Sequence, residues 1–353
     1  MSKLSEIVQS KKYYGGMTLP ERLKKYHIPA ISIIIVENFE ICESYTYGTR
    51  RRWTKEQVTE ATLFQGASTS KPVFAAAVMR LAQLGTLDID ADISEYLDDY
   101  EVPTFDQQKY KITLRQLLSH HAGLNLHGFI GYSQGKKIPT VNQILTGTAP
   151  ANHPRLELIQ KPRTGFRYSG GGYVLAQKIV TDLCQLDFCE LMNELILTPF
   201  LMKNSTFAQP LPPAKINEMA YGYNFLNLQI RKGYRIMPEL AAAGLWTTPS
   251  DLARFGIEIM KALKDESPFL EKELAYLMIK KASKNSTHGA GFAVERSKKG
   301  LTFGHGGTNL GYHSNMSFCP RDGSGIVVMQ NSDLGRRICQ EVTNAFKKIS
   351  GWS

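Results

Sequence analysis

The run 68–85, STSKPVFAAAVMRLAQLG, decides how the rest of the chain is read. From Lys71 to Leu84 the spacing predicts a helix: Val73, Ala76, Ala77, Leu81 and Leu84 share one side, and Gly85 supplies the stop. Pro72 fits only in a first turn, where N–H groups are spare. Ser68 then stands at the opening of that helix, three residues before Lys71, and residues so spaced share a face. The Lys71 ammonium can reach the Ser68 hydroxyl, and the positive end of the helix dipole favours an oxyanion developing there. A plain helix cap would use the same serine. A second S-x-x-K, Ser133-Gln134-Gly135-Lys136, has no helix behind it.

Working outward, Leu19 to His27 reads as a short amphipathic helix. Ile31 to Val36 and Ile41 to Tyr47 read as strands about the turn Glu37 to Glu40. From about Asp88 to Thr206 the pattern is mostly helical with long loops. The last third changes character. Ala290 to Glu295, Leu301 to Gly304, His313 to Phe318 and Ile326 to Gln330 are short strand-like runs, and Val342 to Ile349 closes the chain as a helix. Strands at both ends with helices between predict an α/β chain of the α+β type. In it an antiparallel sheet shared by the two ends is flanked by helices, and a helical lobe is inserted. The expected division of the single unit 1–353 is a sheet lobe of residues 1–65 with 218–353 and a mainly helical lobe of residues 66–217. A cleft would lie at their seam, where sites usually sit.

With 353 residues, 42% of them apolar and 21% charged, the chain has the composition of a soluble globular enzyme and can bury a large core. No stretch approaches the roughly 20 apolar residues of a membrane span. Met1 to Met17 is polar, with no apolar centre for a secretory signal, which implies a cytoplasmic chain, or a periplasmic or secreted one whose signal has been trimmed. Five cysteines (Cys42, Cys184, Cys189, Cys319, Cys339) without metal-ligand spacing suit a reduced compartment. The net charge of +10 comes from scattered Lys and Arg, which serve solubility or attract anionic substrates or acidic surfaces such as phospholipid or cell wall. No nucleic-acid-reading motif accompanies it. Nucleic acid is therefore not an expected partner.

A serine hydroxyl needs a base, and free Lys and Tyr, with pKa values of about 10.4 and 10, serve only where their surroundings depress them. A Lys–Tyr–Ser cluster does so, because a cation favours the neighbouring phenolate while burial disfavours the lysine's charge. The tyrosine candidate is Tyr168, in Tyr168-Ser169-Gly170-Gly171-Gly172-Tyr173, a glycine-tight loop before a helix over Tyr173 to Leu183. Alone it could be an ordinary half-buried tyrosine. His305-Gly306-Gly307-Thr308, after the strand Leu301 to Gly304, can lay backbone N–H groups along a substrate carbonyl and, with the Ser68 N–H, form an oxyanion hole. A simple turn or a core histidine would look the same. Gly131-Tyr132-Ser133-Gln134-Gly135 matches the G-x-S-x-G elbow, but neither a buried strand before it nor a helix after it is expected. The eight histidines show no zinc-ligand spacing.

In order and spacing, Ser68-x-x-Lys71, Tyr168-Ser169 and His305-Gly306-Gly307 resemble the penicillin-recognising serine hydrolases, in the branch of class C β-lactamases, family VIII carboxylesterases and D-amino-acid peptidases. Leu114 to His120, Ala242 to Thr248 and Asp251 to Phe255 look like further signatures of that family, so the likeness runs from about Leu19 to Asp333. It implies the serine β-lactamase/penicillin-binding-protein-like fold. It also implies Ser68 as nucleophile, Lys71 and Tyr168 as the groups exchanging its proton, and the Ser68 and Thr308 N–H groups as the oxyanion hole. His305 takes the place of a lysine in the K-T-G triplet, and His127 that of a substrate-touching glutamine. Arg336 or Arg337 would meet a substrate carboxylate, and the partner implied is a small-molecule or short-peptide substrate.

Two departures bear on the substrate. Gly170 stands where the Y-x-N motif has its asparagine, and His305 replaces a fixed cation by a pH-dependent one. The E-x-x-L-N motif of class A enzymes is absent. The expected activity is therefore acyl transfer through an acyl-enzyme on small esters, amides or D-amino-acid peptides, with β-lactamase activity weak or absent and no metal or organic cofactor required. The alternatives are an efficient β-lactamase or D,D-peptidase, and a non-catalytic sensor or scaffold that keeps the fold.

Overall fold

The computed structural model describes residues 2–353. The chain opens with helices α1 (Lys3–Gln9) and α2 (Leu19–Lys25), strands β1 (Ala30–Glu37), β2 (Glu40–Gly48) and β3 (Phe64–Gln65), then helix α3 (Ser70–Gln83). Its middle holds α4 (Leu114–Leu118), α5 (Val141–Thr146), α6 (Gly170–Cys184), α7 (Phe188–Met192), α8 (Pro213–Ile216) and α9 (Leu240–Ala243). The last part runs β4 (Trp246–Thr247), α10 (Pro249–Ala262), α11 (Lys272–Ile279), β5 (Ala293–Ser297), β6 (Gly300–Asn309), β7 (Tyr312–Cys319), β8 (Ser324–Gln330) and α12 (Ile338–Ile349).

Six strands form one sheet in the order β2-β1-β8-β7-β6-β5, every neighbouring pair antiparallel. The α/β class with an antiparallel sheet shared by the two ends is therefore the observed one. β1 reads as an unbroken apolar run because both of its faces are covered. Ile31, Ile33 and Ile35 join Ile326 and Val328 of β8 in a core layer with α1, α2 and α12. Ala30, Ile34 and Val36 face the larger core, with Val327, Met329 and residues of α3, α6 and α10.

Helix ends follow local chemistry. Thr18 makes a capping box with Glu21 at the start of α2, and Thr248 caps α10 by accepting from the Asp251 N–H, with Pro249 in the first turn. α12 buries Ile338, Cys339, Val342, Ala345 and Phe346, the stripe expected of a helix laid on a sheet.

Several boundaries differ from the sequence reading, each for a tertiary reason. The third expected strand begins at Ala293 rather than Ala290, because Gly289 to Gly291 turn against α11 and α4: the Ala290 N–H donates to the Leu277 carbonyl and the Gly291 N–H to the Leu118 carbonyl. β6 continues through His305-Gly306-Gly307-Thr308 to Asn309, since β7 supplies a full antiparallel partner there. α12 starts at Ile338, four residues before Val342, and α6 starts at Gly170, its glycines tolerated because Ser169 caps it and accepts from the Gly172 N–H. α1, unmarked by a strong apolar run, is held by Leu4, Ile7 and Val8 against the sheet. Among the described residues no helix is long and apolar enough to cross a membrane.

Candidate active site

Ser68 lies in a single 3-10 turn, Ala67–Thr69, that leads directly into α3. The chain enters this turn through Ala67 at φ +51°, a left-handed conformation that a non-glycine residue adopts only when its surroundings impose it. What imposes it is β6. A Cβ on Gly307 would stand 2.2 Å from the Gly66 carbonyl oxygen, and the Ser314 hydroxyl donates to that same oxygen at 2.8 Å. Strand and turn are thus in backbone contact, which only glycine at 307 permits.

α3 is buried almost throughout, and Lys71 with it, at 2% exposure. Its Nζ lies 3.0 Å from Ser68 Oγ and donates to the Ala242 carbonyl of α9 at 2.7 Å. Burial lowers its pKa to about 7, so near neutral pH a large share of the amine is uncharged and able to take a proton. The Tyr168 and Tyr173 rings lie 5.1 and 5.5 Å from Nζ, close enough to favour the ammonium somewhat, but desolvation is the larger effect.

Tyr168 behaves in the opposite way. Burial drives its phenol well above the ordinary value, and the facing Ser68 hydroxyl opposes this only in part. The cation-stabilised phenolate expected from sequence is therefore corrected: desolvation keeps Tyr168 a neutral phenol and a proton donor. Ser68 Oγ lies 3.0 Å from Lys71 Nζ, and the Tyr168 phenol faces the same hydroxyl.

Histidines enclose this cluster. The His120 ring stacks on Tyr168 at 4.1 Å, and its Nδ1 accepts the Ser169 N–H at 3.1 Å, which fixes both ring and backbone of the Tyr168 segment. His127, His288 and His305 lie 4.8, 6.1 and 6.2 Å from the same ring. Burial, then Lys71, lowers His305 to about 3; burial, then His121 and Lys71, lowers His288 to about 4. The pH-dependent cation expected of His305 is thus absent near neutrality. Its Nδ1 donates to the Gly306 carbonyl at 2.6 Å, and its buried Nε2 has no hydrogen-bond partner among the described residues.

A cleft of about 870 Å³ is lined by Ser68, His127, Tyr168, His305, Gly306 and Thr308, and Arg336 also reaches it. The structure does not bring Gly170, Gly307 or Arg337 to that wall. Gly170 is buried with its N–H on the His127 carbonyl, and a Cβ there would meet the Phe129 ring at 3.0 Å. Gly307 faces Gly66, as described above. Arg337, one residue beyond Arg336, lines a separate groove with Arg22 and Tyr26. Ser133 sits in a loop with no strand before it and no helix directly after it among the described residues, so the elbow match has no elbow.

Sequence reasoning missed a second polar chain on the cleft wall. His313 Nε2 meets Asp333 Oδ1 at 3.2 Å, Asp333 also accepts the Gly311 N–H at 2.9 Å, and Thr308 Oγ1 meets His313 Nδ1 at 3.1 Å. The Asp333 carboxylate can only accept, so His313 Nε2 donates to it. The pairing of Thr308 with His313 across β6 and β7 was the available signal, legible only once those strands are known to be neighbours.

Comparison with known proteins adds the following. A family model described as Beta-lactamase matches residues 18–341. Protein flp of Staphylococcus aureus is 25% identical over 320 residues, covering 88% of this chain and 61% of that protein, so the chain spans about six-tenths of that relative's length. Among solved structures, D-amino acid amidase from Ochrobactrum anthropi complexed with L-phenylalanine amide has a TM-score of 0.76 at 21% identity, covering 99% of both chains. The octameric penicillin-binding protein homologue from Pyrococcus abyssi has a TM-score of 0.75 at 20% identity, covering 94% of this chain and 75% of the other. At these identities the structural likeness establishes the fold.

Proposed function

The chain belongs to the beta-lactamase family, and from that premise we propose that it is a serine hydrolase working through an acyl-enzyme on small esters, amides or D-amino-acid peptides. The observation that carries this reading is the 3.0 Å contact between Ser68 Oγ and the buried Lys71 Nζ, whose pKa of about 7 suits a general base. In acylation Ser68 Oγ bonds to the substrate carbonyl carbon while its proton passes to Lys71. The Ser68 and Thr308 N–H groups hold the oxyanion. Lys71, with the neutral Tyr168 phenol beside it, returns the proton to the leaving group as its bond to carbon breaks. Water attacks the ester by the same route in reverse, and Ser68 recovers its proton.

The cleft walls come from both proposed lobes, His127 and Tyr168 from residues 66–217 and His305, Thr308 and Arg336 from the remainder. With His305 held uncharged by burial and no side-chain amide at Gly170, the hold on a β-lactam is weakened although Arg336 lines the cleft and can meet a carboxylate, which favours ester or amide substrates over efficient β-lactam turnover. The amide-cleaving activity named for the Ochrobactrum protein of the same fold is consistent with the amide option.

The test is a panel of p-nitrophenyl acetate, nitrocefin and D-Ala-p-nitroanilide with the parent chain and Ser68→Ala. We expect ester or anilide turnover that falls by several orders of magnitude in the folded variant. Parent-level turnover in Ser68→Ala would end the proposal, and fast nitrocefin turnover would overturn the substrate preference.

A further inference from the structure

Two turns far apart in sequence form one projection beside the cleft mouth. Arg52 fastens them: its N–H donates to the Tyr223 hydroxyl at 2.8 Å, and its guanidinium donates to the Asn227 carbonyl at 3.1 Å while lying over the Tyr223 ring at 4.3 Å. The tips of both turns are apolar and bare. Trp53 is 99% exposed, and Phe225, Leu226 and Leu228 are exposed by 67, 62 and 60%. Phe225 also lines the cleft that holds Ser68, as does the exposed Ile130. Single exposed apolar residues are ordinary, but a clustered tip of this kind marks an interaction surface.

The charge around the tip says what covers it. Segments 49–56 and 221–235 together carry seven arginines and lysines against one acidic residue, Glu56, and that one pairs with Arg50 at 3.7 Å. Arg51, Lys55, Arg231 and Lys232 are exposed. Gln134 donates to the Lys232 carbonyl at 3.3 Å, which brings the loop bearing the exposed Lys136 and Lys137 alongside. A tryptophan, a phenylalanine and leucines within a basic collar match the boundary between headgroups and acyl chains of an anionic bilayer, where apolar groups insert and cations meet phosphates. A second copy of the chain would set this collar against its own like charge.

We propose that the projection formed by Trp53, Phe225, Leu226 and Leu228 docks the chain onto an anionic lipid surface. Phe225 belongs to both the tip and the cleft wall, so docking turns the cleft mouth toward the lipid. The proposal is independent of the chemistry at Ser68.

Co-sedimentation with vesicles of phosphatidylcholine, alone or with phosphatidylglycerol, tests it. The full chain is expected to bind the anionic vesicles about tenfold or more tighter than the neutral ones, with a blue shift of tryptophan fluorescence, because Trp246 and Trp352 are already buried. Trp53→Ser combined with Leu226→Ser should lose about tenfold or more of that affinity while keeping the parent melting temperature and turnover of a water-soluble ester. The melting temperature checks folding even if no ester is turned over, so failure of the hydrolase reading leaves the binding result legible. Equal binding to both vesicle types, no binding, or binding unchanged in the double variant would overturn the proposal. A dimeric chain that becomes monomeric in the double variant would assign the tip to a second copy and overturn it as well.

Discussion

Lys71 sits in a helix buried along nearly its whole length, and that placement, more than any partner, sets its chemistry. Its folded pKa of about 7 lies below the ordinary 10.5, so the folded chain holds the uncharged amine wherever pH exceeds about 7. If Lys71 is the base, kcat/KM for a neutral ester rises with pH through an apparent pKa near 7 and then stays level, because the Tyr168 phenol titrates far above that. A flat profile between about pH 5 and 9 would remove Lys71 from that role. Ser68 and Lys71 were legible in sequence because three residues of helix bring them together whatever the rest of the chain does. Tyr168 was legible through its glycines. His120, His288 and the His313–Asp333 pair were not, because each meets the site across more than one element and no local pattern marks it.

Elements hold the site as firmly as side chains do. β6 lies against the nucleophile turn at Gly307, so Gly307→Ala forces the strand and the Ser68 turn apart. We expect it to lower kcat/KM on the order of a hundredfold, since displacement of reacting groups by about 1 Å has that effect, in a chain that still folds. Parent-like kcat/KM would show that the contact is slack. α9 carries the Ala242 carbonyl that holds Lys71, and the residue preceding it, Glu239, is fully buried with both carboxylate oxygens lacking hydrogen-bond partners among the described residues. Burial raises Glu239 from 4.5 to about 8. A raised acid gives stability that is full below pH 4.5 and lost as pH climbs through about 8. Glu239→Gln removes that loss, so its melting temperature relative to the parent should increase between pH 5 and pH 9; a pH-independent difference would refute the buried acid. Strand and helix identities were legible from period and caps, whereas the length of β6 depended on β7, a partner no local window contains.

At the scale of the molecule, the sheet joins the two ends of the chain. β1 pairs β2 on one side and β8 on the other, so residues about 300 positions apart share a hydrogen-bonded ladder. α12 seals the face that Ile31, Ile33 and Ile35 present, and Phe346 is fully buried there. Phe346→Ala should cost roughly 3–5 kcal/mol in urea unfolding, and a loss under about 1 kcal/mol would mean that α12 is dispensable. The shared sheet was readable from strands clustering at both ends. The basic, apolar projection was not, because segments 49–56 and 221–235 look like scattered charge until Arg52 ties them together. The position of β8 also constrains biosynthesis. Leaving the ribosome amino end first, the nascent polypeptide exposes β1 with one edge unsatisfied until β8, about 300 residues later, has been made. The growing chain therefore cannot complete its sheet early, and a message cut short before β8 should yield an aggregation-prone fragment.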